Sequence, residues 1–479
     1  MKKHLLLYAL SVLFFMASCS KNEGGDGDVN PVTPSNTVEV SGDITASTTW
    51  SADKIYLLKG NVFVTNNATL TIEPGTIIKG DKASKASLVI TRGAKIMAVG
   101  TVDKPIVFTS NIAAGGRAQG DWGGLILLGK AKNNLGTSVT IEGISDNTDK
   151  AKHGGDVDND NSGTLKYVRV EYAGIAIGPD NEINGITFGS VGSGTVVEYV
   201  EVYRSGDDAF EWFGGSVNAK HILAINTWDD DFDTDNGFSG KIQFAVAQRL
   251  ASTADMSGSN AFESDNNSNG TNTVPQTSST FSNVTVIGPV SGASGSGTIN
   301  NNYQHGAQIR RNSAMSLFNS IIAGYTEGVF YDDERPTSGP NSSTALTSGA
   351  SVFANNLIYG SNSKSNQIKA SNATTLATIT TKLTADNIFE PTKYAVDLVK
   401  DAYKYSADVA VAARVGRPDF TLATNSVAAT GAAFTNAKVA DAFFEKVTYK
   451  GAFGTTDWTA GWAHFDPQNL PYTTPGAVK

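Results

Sequence analysis

Charge is scarce in this 479-residue chain: Asp, Glu, Lys and Arg together make up 17 % of it, against roughly 25 % in a typical soluble protein. Long amphipathic helices, which need a charged face, are hard to build from such a mixture. The five histidines are scattered without ligand spacing, and neither a nucleophile elbow nor a phosphate-cradling glycine loop occurs. No zinc set, acyl-transfer triad or nucleotide loop is therefore legible. A net charge of −9, with no basic cluster beyond the pair Arg310-Arg311, argues against nucleic acid as a partner. The single cysteine, Cys19, excludes an internal disulfide.

What remains is rich in Gly (49 residues) and in Val, Thr, Ser and Ile, the residues of turns and strands. Short apolar alternations, VFVTNNATLTIEPGTIIKG, ASLVITRGAKIMAVGT, KPIVFTS and GLILLGKA, follow one another between Gly, Asn, Asp and Ser turns. Self-similarity selects among the all-β folds. Residues 199–215, YVEVYRSGDDAFEWFGG, align with residues 221–237, HILAINTWDDDFDTDNG. The alignment sets Val200 over Ile222, Asp207 over Asp229, Asp208 over Asp230 and Phe210 over Phe232, an offset of 22 residues. One further step of 22 reaches Phe244. Asn283, Asn319 and Asn355 each precede a glycine by five residues, in NVTVIG, NSIIAG and NNLIYG, as inward asparagines stacked at coil corners would.

A period near 22 with β-type units fits one coil of a parallel solenoid, whose apolar face is buried only by stacking. The fold class expected is all-β, a right-handed parallel β-helix. A sandwich of antiparallel hairpins is the rival, and would show turn dipeptides without a constant period. Irregular spacing predicts inserted loops over residues 146–162 and 251–305. Residues 37–479 read as one domain, with an N-terminal cap to about residue 110 and a C-terminal capping segment from about residue 440.

The N-terminus has the form of an export signal: Lys2 and Lys3, an apolar run over residues 5–16, then Ala17, Ser18 and Cys19. Small residues before a lone cysteine resemble a bacterial lipoprotein box. That resemblance implies cleavage after residue 18, acylation of Cys19, and a tether over residues 19–36 poor in apolar side chains. CSKNEGGDGD is similar to the acidic signals that send lipoproteins of Bacteroidetes to the outer face of the outer membrane. A plain secretory leader with an incidental cysteine is the alternative.

LTIEPGTIIKG, GAKIMAVGTVDKPIVFTS, GDWGGLILLGKA, LKYVRVEYAG, GDDAFEWFGG and FFEKVTYKGAFGTTDWTAGWAHFDPQN together resemble a family of secreted or lipid-anchored β-helix proteins common in Bacteroidetes. The resemblance implies a fold similar to pectate lyases and no established activity.

Residues 205–237 carry eight acids and one base, Lys220. Stacked coils lie roughly 4.8 Å apart. At that range two carboxylates repel by about 0.8 kcal/mol in water and about 3 kcal/mol at an effective dielectric of 20. Three readings compete. Calcium, which takes six to eight hard oxygen ligands, would be held by Asp207, Asp208, Asp229, Asp230 and Asp231, with Glu211 and Asp233 behind them. The acids would otherwise form a solvated flank, or catalyse. GDD followed by His305-Gly306 and Arg310 resembles the polygalacturonase class, although INTWDDD follows GDD here instead of preceding it. Catalytic candidates are Asp207, Asp208, Asp229, Asp230, His305 and Arg310, and a lyase base would be Arg204, Lys220 or Arg310. Trp212 and Trp228 lie inside the acidic repeat and offer faces for sugar rings, whereas Trp458 and Trp462 read as core or cap. Asp156, Asp158 and Asp160 space like the start of a calcium loop but lack its later Gly and Glu, and read as a mobile acidic loop. The expected function is a lipid-anchored surface that binds a polysaccharide or a protein partner. A polysaccharide lyase or glycoside hydrolase is the alternative.

Overall fold

A computed structural model describes residues 36–145, 148–178, 181–292, 299–336, 339–360, 367–404 and 416–479. Cys19, the export signal and all but the last residue of the tether lie outside them. The described chain is a right-handed parallel β-helix with twenty-six strands paired coil to coil.

Each coil contributes to three faces, and the way two of them meet explains the long strands. Gly163–Glu171, Val196–Tyr203, Asn218–Ile225, Lys241–Gln248 and Thr280–Ile287 each bend at one residue and serve two sheets. The bending residues Tyr167, Tyr199, His221, Phe244 and Asn283 all have φ between 50 and 59°. A left-handed residue turns the strand and leaves the ladder to resume beyond it: Lys166 pairs with Glu198 and Val168 with Val200, skipping the corner. The third face comprises Ile186–Val191, Phe210–Gly215, Phe232–Asp235, Phe262–Ser264, His305–Arg310 and Glu327–Asp332.

The inward rows make the core. Val168, Val200, Ile222, Ala245 and Val284 pair in succession on the first face, and Ile186, Phe210, Phe232 and Phe262 on the third. All are fully buried, at about 1.5–3 kcal/mol for each large apolar side chain. Trp212 belongs to this core, with ring centroids 5.6, 5.9 and 5.3 Å from Phe188, Phe210 and Phe238. At the C-terminal mouth, helix α1 (Ser342–Ser348) and helix α2 (Ala373–Asp386) close the coil, α2 burying Ile379 and Leu383.

The 22-residue offset holds where Val200 pairs with Ile222 and Phe210 with Phe232. The next coil is one residue longer. Ile222 pairs with Ala245, so Phe244 lands on the corner and stacks on His221 at 5.0 Å. Residues 251–305 are not one inserted loop, because Phe262–Ser264 and Thr280–Ile287 continue the sheets between long turns. Asn283, Asn319 and Asn355 occupy corners with φ of 55, 52 and 63°. The first two bond the C-terminal residues laid across them: Asn283 donates to Tyr449 O, and Asn319 exchanges two bonds with Ala433.

Residues 416–479 run back along the outside of the first face. Asn319 meets residue 433, while Tyr472 and Val478 pack on Ile55, Ile77 and Val107 near the opposite end. Beneath this strap the outward row Arg169, Glu201, Leu223, Val246 and Thr285 is covered. Arg169 donates to Tyr472 Oη (2.8 Å) and to Val478 O (2.7 Å). Glu201 accepts from His464 N at 2.9 Å.

Truncating Trp212 to Ala should cost about 3–5 kcal/mol, the usual range for a buried aromatic. A urea titration followed by circular dichroism measures this, and a loss below about 1 kcal/mol would take Trp212 out of the core.

Candidate metal and glycan site

One outward row of the third face carries the site. Phe63, Val89 and Ile126 pair in succession and continue into Thr187. Over these coils the row is apolar, and Ile141, Ile144, Ile175 and Ile183 from two hairpins cover it. The row then continues as Glu211, Asp233 and Glu263. Farther along it becomes Gln308, Phe330 and Lys369. The acids begin where the apolar cover stops.

Alongside runs the turn that precedes these strands. Asp208 Oδ1 accepts the Asp230 N–H at 2.8 Å, Asp230 Oδ1 accepts the Asn260 N–H, and Asn260 Oδ1 accepts the His305 N–H at 3.0 Å. Each side chain thus satisfies a backbone donor of the next coil. The stacking of Asp207 on Asp229 and of Asp208 on Asp230 follows the strand register. Two carboxylate triplets result, Asp207/Asp208/Asp229 and Asp208/Glu211/Asp233, each with its oxygens within 4.8 Å of one another. Asp208 is common to both. Ser257 Oγ donates to Asp229 Oδ2 at 2.9 Å. Asp229 Oδ1 and Asp233 Oδ1 are enclosed and have no hydrogen-bond partner among the described residues.

Burial, with neighbouring carboxylates adding to it, pushes the acids Asp207, Asp208, Glu211, Asp230 and Asp233 well above the ordinary carboxylate range. Burial also raises Asp229 to about 6, Glu263 to about 7 and Asp235 to about 8. The cations of this face sit at its far end and are engaged there. Arg310 donates to Asp265 Oδ1 at 2.8 Å and to Glu263, and Arg311 binds Asp265.

The expected ligands are not all brought together. Asp231 points inside the coil, where Arg249 Nε donates to it at 2.9 Å with both side chains fully buried. Burial raises the Asp231 carboxyl to about 6 against the pull of Arg249, so the pair is charged at neutral pH. Arg249 also donates to the carbonyls of Thr227 (2.7 Å), Asn260 (2.6 Å) and Asp229, and so fixes the turn that presents Asp229 and Asp230. Trp212 is interior and cannot meet a sugar, whereas Trp228 is 38 % exposed next to Asp229. Trp458 and Trp462 belong to the strap and pack its inner side against the corner aromatics. His305 is buried, with Nδ1 2.9 Å from Glu327, and burial lowers its pKa. Lys220 binds Glu445 of the strap at 2.9 Å, away from the acids. Arg204 sits at the end of the first face with its guanidinium 5.7 Å from the Tyr203 ring centroid.

The loop expected to be mobile is pinned instead. Lys132 binds Asp158 at 2.9 Å, and Asp160 accepts the Lys130 N–H at 2.9 Å. Sequence reasoning missed Glu263 and Asp265 on the acidic face. The i+2 alternation of FES-D after Asn260 was the available signal.

The oxygen-only donor set, the two triplets and the orphaned buried oxygens of Asp229 and Asp233 fit a hard divalent cation. A sequence model of the pectate-lyase-like β-helix domain matches residues 42–463, nearly all of the described chain. The chain belongs to that family. No curated protein and no solved structure matches this pectate-lyase-like chain.

Folded-state carboxyls raised above their unfolded values hold protons that the unfolded chain has released. Stability without a cation should therefore fall as pH rises from about 5 through the values of Asp229, Glu263 and Asp235 near 6, 7 and 8. Melting temperature in chelator should drop across that window and stay level in millimolar calcium. Equal slopes would remove the cation from the site. Asp208→Asn keeps the acceptor for the Asp230 N–H and deletes the charge shared by both triplets. It should raise the melting temperature in chelator and abolish the response to calcium.

Proposed function

We propose that the acidic third face binds calcium and, with exposed Trp228, a polysaccharide, which it holds without cleaving. In this proposal lipid on Cys19 anchors the protein at the outer membrane, exposed at the cell surface. The observation that carries the reading is the convergence of Asp207, Asp208 and Asp229 within 4.8 Å, beside an exposed indole. Carboxylates that close, partly shielded from water, need a counter-charge, and a calcium ion with open positions supplies both the charge and coordination to sugar hydroxyls or carboxylates. The indole face adds a stacking surface for a pyranose ring.

Two observations weigh against particular chemistries. The oxygens within each triplet lie within 4.8 Å, closer than the roughly 6.5–9.5 Å between carboxyl groups through which an inverting glycosidase seats its water, which leaves the spacing of roughly 5–5.5 Å that a retaining enzyme uses. Arg310 is held in its charged form by Glu263 and Asp265, the opposite of what a lyase base requires. Raised carboxyl pKa values do suit a general acid, so cleavage is the outcome to test against.

The test is a glycan screen of the purified protein in calcium and in chelator, scoring retention and release of oligosaccharides. Retention should require calcium and weaken about tenfold or more in Trp228→Ala, the loss of roughly 1.4 kcal/mol of stacking. Oligosaccharide release that vanishes in Asp208→Asn would replace binding by catalysis. Cys19→Ala should move the protein from the membrane fraction to the soluble one, and an unchanged distribution would rule out the anchor.

A further inference from the structure

The corner ladder changes character along the axis. A non-glycine residue at positive φ costs about 1–2 kcal/mol, least for Asn, and the later coils use Asn283, Asn319 and Asn355. Four earlier coils use Tyr167, Tyr199, His221 and Phe244, whose rings stack at 4.6, 4.4 and 5.0 Å. Trp462 closes over the first two, edge-on at 5.9 and 6.0 Å. In front of His221 and Phe244 the strap leaves a cleft of about 790 Å³, walled by Tyr449 and Trp458. That volume lies within the usual range for a small-molecule site, about 300–1,000 Å³.

Its chemistry restricts the occupant. Thr424, Asn425, Thr448 and Thr456 line the cleft and are exposed, offering hydroxyls and an amide. The charged lining residues are Lys400 and Glu445, of opposite sign, and each already has a counter-charge: Asp419 at 3.9 Å from Lys400 and Lys220 at 2.9 Å from Glu445. An anionic ligand would find no net positive field, and a purely apolar one would strip water from the hydroxyls. His221 Nδ1 is enclosed and has no hydrogen-bond partner among the described residues. Burial lowers the His221 pKa to about 4, so the ring is uncharged at neutral pH. Aromatic walls, a hydroxyl and amide rim and balanced charge together suit a ligand that is uncharged, rich in hydroxyls and apolar on one face.

We propose that this cleft is a second glycan site, independent of calcium and of the acidic face, that takes neutral hexose units. The site lies at the corner of the first two sheets, under the strap, whereas the acids lie on the third.

The experiment is saturation-transfer NMR on the full chain in EDTA, with cellotriose, maltotriose and mannotriose as probes. At least one trisaccharide should receive saturation in EDTA. Thr456→Phe and Thr448→Phe, which place a ring in the cleft from exposed positions, should each weaken that binding at least tenfold with unchanged melting temperature. Trp228→Ala should leave it unaltered. The proposal falls if none of the three probes binds in EDTA, or if both filled variants bind like the parent. Loss of calcium-dependent retention would overturn the reading of the acidic face and leave this result standing.

Discussion

A parallel coil sets each side chain roughly 4.8 Å from its counterpart in the next turn, and this spacing decides which residues the chain can repeat. Apolar residues gain from it: Ile186, Phe210, Phe232 and Phe262 form one continuous inward row. Asparagine and aspartate gain at a turn when each accepts the next coil's N–H, as Asp208, Asp230 and Asn260 do. Carboxylates repeated on an outward row do not, since each added coil brings like charges together. The chain nevertheless runs Glu211, Asp233 and Glu263 in register. Local rules of good folding are broken most often where a protein has something to bind.

The outside of the solenoid is divided by what covers it. Hairpins carrying Ile141 and Ile183 cover the start of the third face, and the strap covers the first. Both covers rest on apolar outward residues, except where Arg169, Glu171 and Glu201 are sealed beneath residues 462–478. Such buried charges persist only when partners meet them. Beneath the strap the acids have an arginine, a tyrosine hydroxyl or a backbone N–H within reach, and Glu171 and Glu201 each keep one enclosed oxygen without a hydrogen-bond partner among the described residues, as Asp229 and Asp233 do.

The solenoid, its period and the stacking of Asp207 on Asp229 were legible because they depend on register, and register is a spacing. What spacing does not carry was hidden. Asp231 has the same local sequence context as Asp229 and Asp230, yet the turn aims it inward at Arg249, 18 residues away. Trp212 and Trp228 both lie in the acidic repeat, but Trp212 follows Phe210 by two and so shares its inward side, while Trp228 precedes the strand in an exposed turn. That alternation could have separated them in advance. The one-residue lengthening that shifts Phe244 to a corner, and the long turns around Phe262, broke the constant offset and concealed a coil. The strap was invisible because its partners lie far off in sequence, 114 residues for Asn319 and Ala433 and 376 for Asp103 and Lys479.

A stack of repeats held only by neighbours ordinarily unravels from whichever end is pulled or cut. The strap removes that freedom. Its last residues grip Arg169 and lie on Ile77 and Val107, while its earlier ones bond Asn319 many coils farther on. Peeling an early coil therefore requires lifting residues 472–478, and removing that stretch loosens the early coils. The same fastening orders assembly in time: coils can zip as they emerge, but the polar row of Arg169 and Glu201 is sealed only when residue 478 arrives. An emerging chain thus carries an unfinished flank until residues 462–478 are free to dock, so quality control of this fold comes down to whether that stretch is intact.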